Sequence, residues 1–163
     1  MLWFTCGTSE RLSPVSVASN LEDKIQRRLL EIRTLVPGSI GDMLKLSLIA
    51  CDEEKKEYTF RSCTEDWMRN IAGTLHGGMC ATIVDQTMGI VAYCAKPGEG
   101  VAPTIEFQLS YHRPPIPGED VIVRVRILSV TRSLIRLTAE AALASSPNRL
   151  CLTGSGTYLY KEK

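Results

Sequence analysis

Histidine is scarce and cysteine is badly spaced for metal. Only two histidines occur in 163 residues, and none of the six cysteines forms a C-x-x-C pair. A structural zinc needs four such ligands at short spacings, so no metal site is expected. A chain of this length does not depend on a disulfide scaffold. Cys6, Cys51, Cys63, Cys80, Cys94 and Cys151 therefore read as reduced thiols of a cytoplasmic protein. No run of about twenty apolar residues is free of charge, which excludes a membrane-spanning helix. The opening MLWFTCGTSERLSP has no basic n-region and too short an apolar run for a secretory signal. A net charge of +1, with Lys and Arg spread along the chain, gives no electrostatic ground for a nucleic acid or membrane partner. Gly154-Ser155-Gly156 lacks the third glycine of a dinucleotide fingerprint, and no cofactor is implied.

What is present is one acid in an apolar setting. Across residues 70–95, Asp85 is the only formally charged side chain. From Gly78 onward this stretch has no proline and is apolar nearly all round, which predicts a helix buried on all sides. An ionised carboxylate there costs several kcal/mol unless paired or hydrogen-bonded. No Lys or Arg lies within two helical turns of it. Either another segment compensates the charge, or the carboxylate does chemistry.

Around this helix the pattern is regular. Residues 1–18 read as an N-terminal arm, and 19–163 as one domain. Ser19 or Asn20 caps a helix from Leu21, with Ile25, Leu29, Ile32 and Leu35 or Val36 as its apolar face, ended by Pro37-Gly38. Strands are expected over 43–50 and 57–63, then the apolar helix over 77–95, then strands over 104–113, 120–130, 134–144 and 150–160. Consecutive strands on short turns pair antiparallel. A long apolar helix is buried on most sides only if a strongly bent sheet wraps it. The predicted class is therefore α+β.

The helix start is itself a candidate site. Gly77 and Gly78 leave helix-tip N–H groups open to a ligand oxygen, the geometry that polarises a carbonyl. Asn70 carries an amide able to donate to the same oxygen, and His76 can position Asn70, hold backbone or act as a base. Cys80 near His76 reads as apolar filler rather than a nucleophile. Asp85 can activate water or attack an acyl carbon. Nine residues of helix separate His76 from Asp85, roughly 13 Å of rise, so they cannot meet at one carbon within one chain. If both serve one site, a second subunit supplies one of them, and a two-fold dimer has two such sites. Among Arg113, Arg124, Arg126, Arg132 and Arg136, some can hold phosphates, though most read as solvated strand faces.

The run from Asn70 through His76-Gly77-Gly78 to Asp85, the segment Thr104–Pro114 and Gly118-Glu119-Asp120 resemble the hotdog-fold acyl-CoA thioesterases of the PaaI type. The resemblance spans about residues 40–160. It implies a hotdog fold, a bent antiparallel sheet around one long central helix, with dimers that commonly pair into tetramers. It implies hydrolysis of acyl-CoA to free acid and CoA. By position, Asn70 and the Gly77 N–H would hold the thioester carbonyl, with His76 supporting Asn70. Asp85 of the facing subunit would activate water or attack the carbon, and Thr104 would place the water. Gly78, Arg113 and Arg132 are further substrate-binding candidates. Pro103 departs from the pattern and threatens to shift the Thr104 hydroxyl. A non-catalytic acyl-CoA-binding protein and a hotdog dehydratase or hydratase are the rival readings.

Overall fold

Asn20 opens the first helix, its side chain accepting the Asp23 N–H at 2.8 Å. The computed structural model describes residues 20–98 and 100–162, so the expected arm over 1–18 lies outside the described residues. Helix α1 (Leu21–Leu35) buries Ile25, Leu29 and Ile32. Its apolar face stops there, because Leu35 and Val36 are exposed. A one-turn helix α2 (Ile40–Met43) follows, capped by Ser39. The strand expected from residue 43 is displaced by this turn and by Lys45 at φ 48°, and begins instead at Ser47.

Six strands form one antiparallel sheet in the order β1-β2-β5-β6-β7-β4. They are β1 (Ser47–Asp52), β2 (Glu57–Ser62), β4 (Thr104–Tyr111), β5 (Val121–Val130), β6 (Leu134–Leu143) and β7 (Leu150–Leu159). A separate two-stranded ribbon pairs β3 (Gly100–Val101) with β8 (Lys161–Glu162). Helix α3 (Gly77–Cys94) touches β2, β4, β5, β6 and β7. A single rod in contact with five of six strands requires the sheet to curve around it, as the apolar helix predicted.

The inner face alternates as strands must. Tyr58 and Phe60 on β2, Val121, Val123 and Val125 on β5, and Ile135 and Leu137 on β6 are all buried. On β7 the inward positions Gly154 and Gly156 let the helix come close. A Cβ at Gly156 would sit 3.1 Å from Met88 Cε and 2.9 Å from the Tyr158 ring. The Gly-Ser-Gly run thus serves helix-on-sheet packing.

One expectation changes. Helix α3 is not buried on all sides: Thr82, Asp85, Gln86, Gly89 and Tyr93 are partly exposed. The sheet covers one side of the rod, and α1 covers only part of the other, where Arg28 lies 4.3 Å above the Tyr93 ring. The uncovered stripe carries the acid. Strand β4 is also left open as a sheet edge. Its apolar side chains Ile105 and Tyr111 are 55% and 54% exposed, so it presents hydrophobic surface that nothing among the described residues covers.

Candidate functional site

Asp85 stands on the third turn of α3, at the side of a cleft of about 430 Å³. Its Oδ1 accepts the Thr104 hydroxyl at 2.9 Å and the Tyr158 hydroxyl at 2.9 Å. No ion pair among the described residues involves it. The charge is therefore compensated by two neutral donors from β4 and β7, and a carboxylate held this way keeps lone pairs for a further proton. Thr104 reaches it despite Pro103, whose carbonyl accepts the Leu159 N–H at 2.9 Å and fixes the start of β4. Burial, with the Asp85 charge adding to it, pushes the Tyr158 phenol well above its ordinary range, so it stays a donor at neutral pH. Tyr158 is the site residue that sequence reasoning missed. An inward tyrosine on an alternating strand looks the same whether it fills the core or holds an acid.

A second cluster forms at the tip of α3. Asn70 organises a turn over residues 70–74: its Oδ1 accepts the Ala72 and Thr74 N–H groups at 2.9 and 3.1 Å, and its Nδ2 donates to Thr74 Oγ1 at 2.8 Å. An amide nitrogen has two hydrogens, so one donor remains for a ligand. Of the roles open to His76, the structure has it holding backbone, and the support of Asn70 that the resemblance implied needs correction. His76 does not bond Asn70; its Nδ1 accepts the Gly78 N–H at 3.0 Å and caps the helix. Gly78 is thereby removed as a donor to substrate. No hydrogen bond among the described residues uses the Gly77 N–H. The Tyr111 hydroxyl donates to the Gly77 carbonyl at 2.7 Å and pins the tip to β4.

Asn70, Gly77, Cys80, Tyr111 and Arg113 line one cleft of about 280 Å³. Burial raises the Cys80 thiol to about 11, which keeps it neutral and suits an apolar filler. Arg132 lies elsewhere, beside Lys96, Pro97 and Tyr160, in neither cluster. The carboxylate and the open donors thus occupy two different clefts of one chain. They are separated along α3 by the eight residues from Gly77 to Asp85, roughly 12 Å of rise.

Residues 72–145 match the sequence profile described as the thioesterase superfamily. Over 109 residues the chain is 28% identical to mouse acyl-coenzyme A thioesterase 13, covering 66% of this chain and 75% of that protein. A Ralstonia eutropha phenylacetic acid degradation-related protein superposes with a TM-score of 0.71 at 20% identity, over 83% of this chain and 98% of that one. A Streptococcus mutans protein solved bound to acetyl CoA superposes with a TM-score of 0.62 at 17% identity, over 72% and 90%. The architecture is the hotdog fold, with α1 and α2 added before the sheet. No described helix is long and apolar enough to cross a membrane.

Proposed function

We propose that this protein is an acyl-CoA thioesterase that converts acyl-CoA and water to a carboxylic acid and CoA, in a site shared by two subunits. The observation that carries the reading is Asp85, a carboxylate on the core helix, held by two neutral hydroxyls and open to a cleft.

The two clefts of one chain are each half a site. Pairing two copies along β4 covers its exposed Ile105 and Tyr111 and sets one copy's Asp85 cleft, which Thr104 of β4 lines, against the other's helix tip. The thioester carbonyl then accepts hydrogen bonds from the Gly77 N–H and the remaining Asn70 N–H of one subunit. These donors are fixed before substrate arrives, by the His76 cap and the turn over 70–74. Such preorganisation favours the charge that develops on the oxygen.

Asp85 of the other subunit removes a proton from water as the water oxygen bonds to the acyl carbon. The Thr104 hydroxyl, already on Asp85, marks where that water is placed. The tetrahedral intermediate collapses, the carbon–sulfur bond breaks, and CoA leaves as a thiolate that takes up the proton. Arg113, which lines the donor cleft, meets a CoA phosphate in this reading. The active form is a homodimer, able to pair further into a tetramer, in the cytoplasm.

The test is thiol release from a panel of acyl-CoAs by wild type and Asp85→Asn. Wild type turns over, and the variant falls by about 100-fold or more, the lower range for loss of a general base. Equal turnover in the two proteins removes Asp85 from the chemistry. Tight binding with no turnover in either assigns the protein to acyl-CoA binding instead.

A further inference from the structure

Gly89 stands inside α3, where glycine costs helix stability relative to alanine. Helical backbone does not require it. Packing does not require it either: a Cβ there would meet only the Tyr158 ring, at 3.7 Å, which is ordinary contact. By contrast, the nearby glycines on β7 have Cβ positions blocked at 3.0 Å or less. Gly89 lines the same cleft as Asp85, one helical turn further along. Its missing side chain therefore keeps the floor of that cleft open.

One more turn along the same face is Tyr93, also lining the cleft. The Arg28 guanidinium lies 4.3 Å above its ring, and Arg28 Nη1 is held by Glu31 Oε2 at 3.0 Å. The ring is thus fixed from the α1 side. Between acid and ring the cleft is lined by Ile90, Val101, Ala102 and Pro103, with Gln86 and Thr104 adding polar surface at the acid end and Arg28 at the ring end. This is an open cleft with a carboxylate at one end, a bare floor and an aromatic ring at the other.

We propose that Tyr93, clamped by Arg28, is the end wall of an acyl channel that begins at Asp85, passes over Gly89 and selects straight medium-chain acyl groups. The inference rests on the thioesterase reading of the site and names its substrate class. Asp85 and Tyr93 are separated by roughly 12 Å of helix rise. An extended chain advances about 1.2 Å per bond, which gives about ten bonds. Helical side chains lean toward the N-terminus, so the ring shortens the channel to about eight.

The experiment compares hexanoyl-, octanoyl- and dodecanoyl-CoA as substrates, and the corresponding S-alkyl-CoA thioethers as ligands that cannot be hydrolysed. Wild type prefers the octanoyl substrate over the dodecanoyl by at least tenfold in kcat/KM. Tyr93→Ala raises the dodecanoyl-to-octanoyl ratio at least tenfold. Gly89→Leu acts in the opposite sense and lowers the octanoyl-to-hexanoyl ratio at least tenfold. Arg28→Gln, which frees the ring, moves the ratio the same way as Tyr93→Ala by a smaller factor.

Circular dichroism confirms that each variant is folded, and Gly89→Leu carries the test if Tyr93→Ala is not. Ratios within twofold of wild type in the folded variants overturn the proposal. The thioethers separate the two readings. Length-dependent binding that shifts in Tyr93→Ala without any turnover sinks the hydrolase and leaves the channel standing. Turnover with a flat length profile does the reverse.

Discussion

The Tyr158 hydroxyl donates to Asp85 Oδ1 at 2.9 Å, joining the next-to-edge strand of the sheet to the only acid of the core helix. The Thr104 hydroxyl donates to the same oxygen at 2.9 Å. Two donors on one oxygen orient the carboxylate and leave its other oxygen for water. Thr104→Val and Tyr158→Phe each remove one donor while keeping shape. Each is expected to lower kcat by about tenfold, the factor that corresponds to about 1.4 kcal/mol for one such bond, with KM little changed. Steady-state kinetics on one acyl-CoA settles this; an effect confined to KM would mean that the hydroxyls hold substrate rather than the acid.

Asp85 was legible in the sequence because a single charge in an apolar helix is anomalous whatever surrounds it. The wrapped sheet followed from the same anomaly, since an apolar rod has to be covered. Thr104 was marked by the resemblance, but the second partner of Asp85 was not legible: the inward positions of β7 run Leu152, Gly154, Gly156 and Tyr158, and only the fold shows which of these reaches the acid. The role of His76 stayed open among three for a different reason. A histidine just before Gly77-Gly78 has two available partners, Asn70 and the helix N–H groups, and spacing does not rank them. The Asn70 side chain satisfies itself within its own turn, which leaves His76 to the helix. The turn over Ile40–Met43 lies between the Pro37-Gly38 stop and the strand expected from Met43, and four residues are too few to show a helical period; Ser39 at its cap was the available signal.

His76→Ala removes a cap and should destabilise the protein by about 1 kcal/mol, seen as a Tm lower by about 2–4 °C for a chain of this size. His76→Asn keeps an acceptor at the cap and should recover most of that loss. If His76 holds the helix tip and moves no proton, His76→Asn retains more than a tenth of kcat. A collapse of kcat in His76→Asn at unchanged Tm would show the imidazole in the chemistry.

Burial, with the neighbouring carboxylate, raises the Tyr158 phenol above its ordinary value of 10.0. The folded state therefore holds this proton more tightly than the unfolded chain does. The associated stability is fully present below about pH 10 and is lost as the pH climbs further, because the unfolded chain then gives up its proton first. Tyr58, raised by burial and by Glu53, acts in the same direction. Thermal melts between pH 8 and 11 should show Tm falling at the alkaline end, and Tyr158→Phe should flatten that fall relative to its own value at pH 8. An equally steep fall in the variant would assign the alkaline loss to other groups.

The shared site makes a prediction no single-chain site can make. Asn70→Asp keeps the oxygen that accepts the Ala72 and Thr74 N–H groups, and so the turn, but removes the donor and adds a charge opposed to an oxyanion. Asp85→Asn removes the base. Each protein alone is expected to be nearly inactive. Refolded together in equal amounts, half the dimers are mixed, and each mixed dimer has one site with both lesions and one with neither. Activity should therefore return to about a quarter of wild type. Mass spectrometry of the refolded mixture confirms that mixed dimers form. If they form and the mixture stays inactive, Asn70 and Asp85 serve separate purposes, and the donors that hold the thioester oxygen have to be sought on the same chain as the acid.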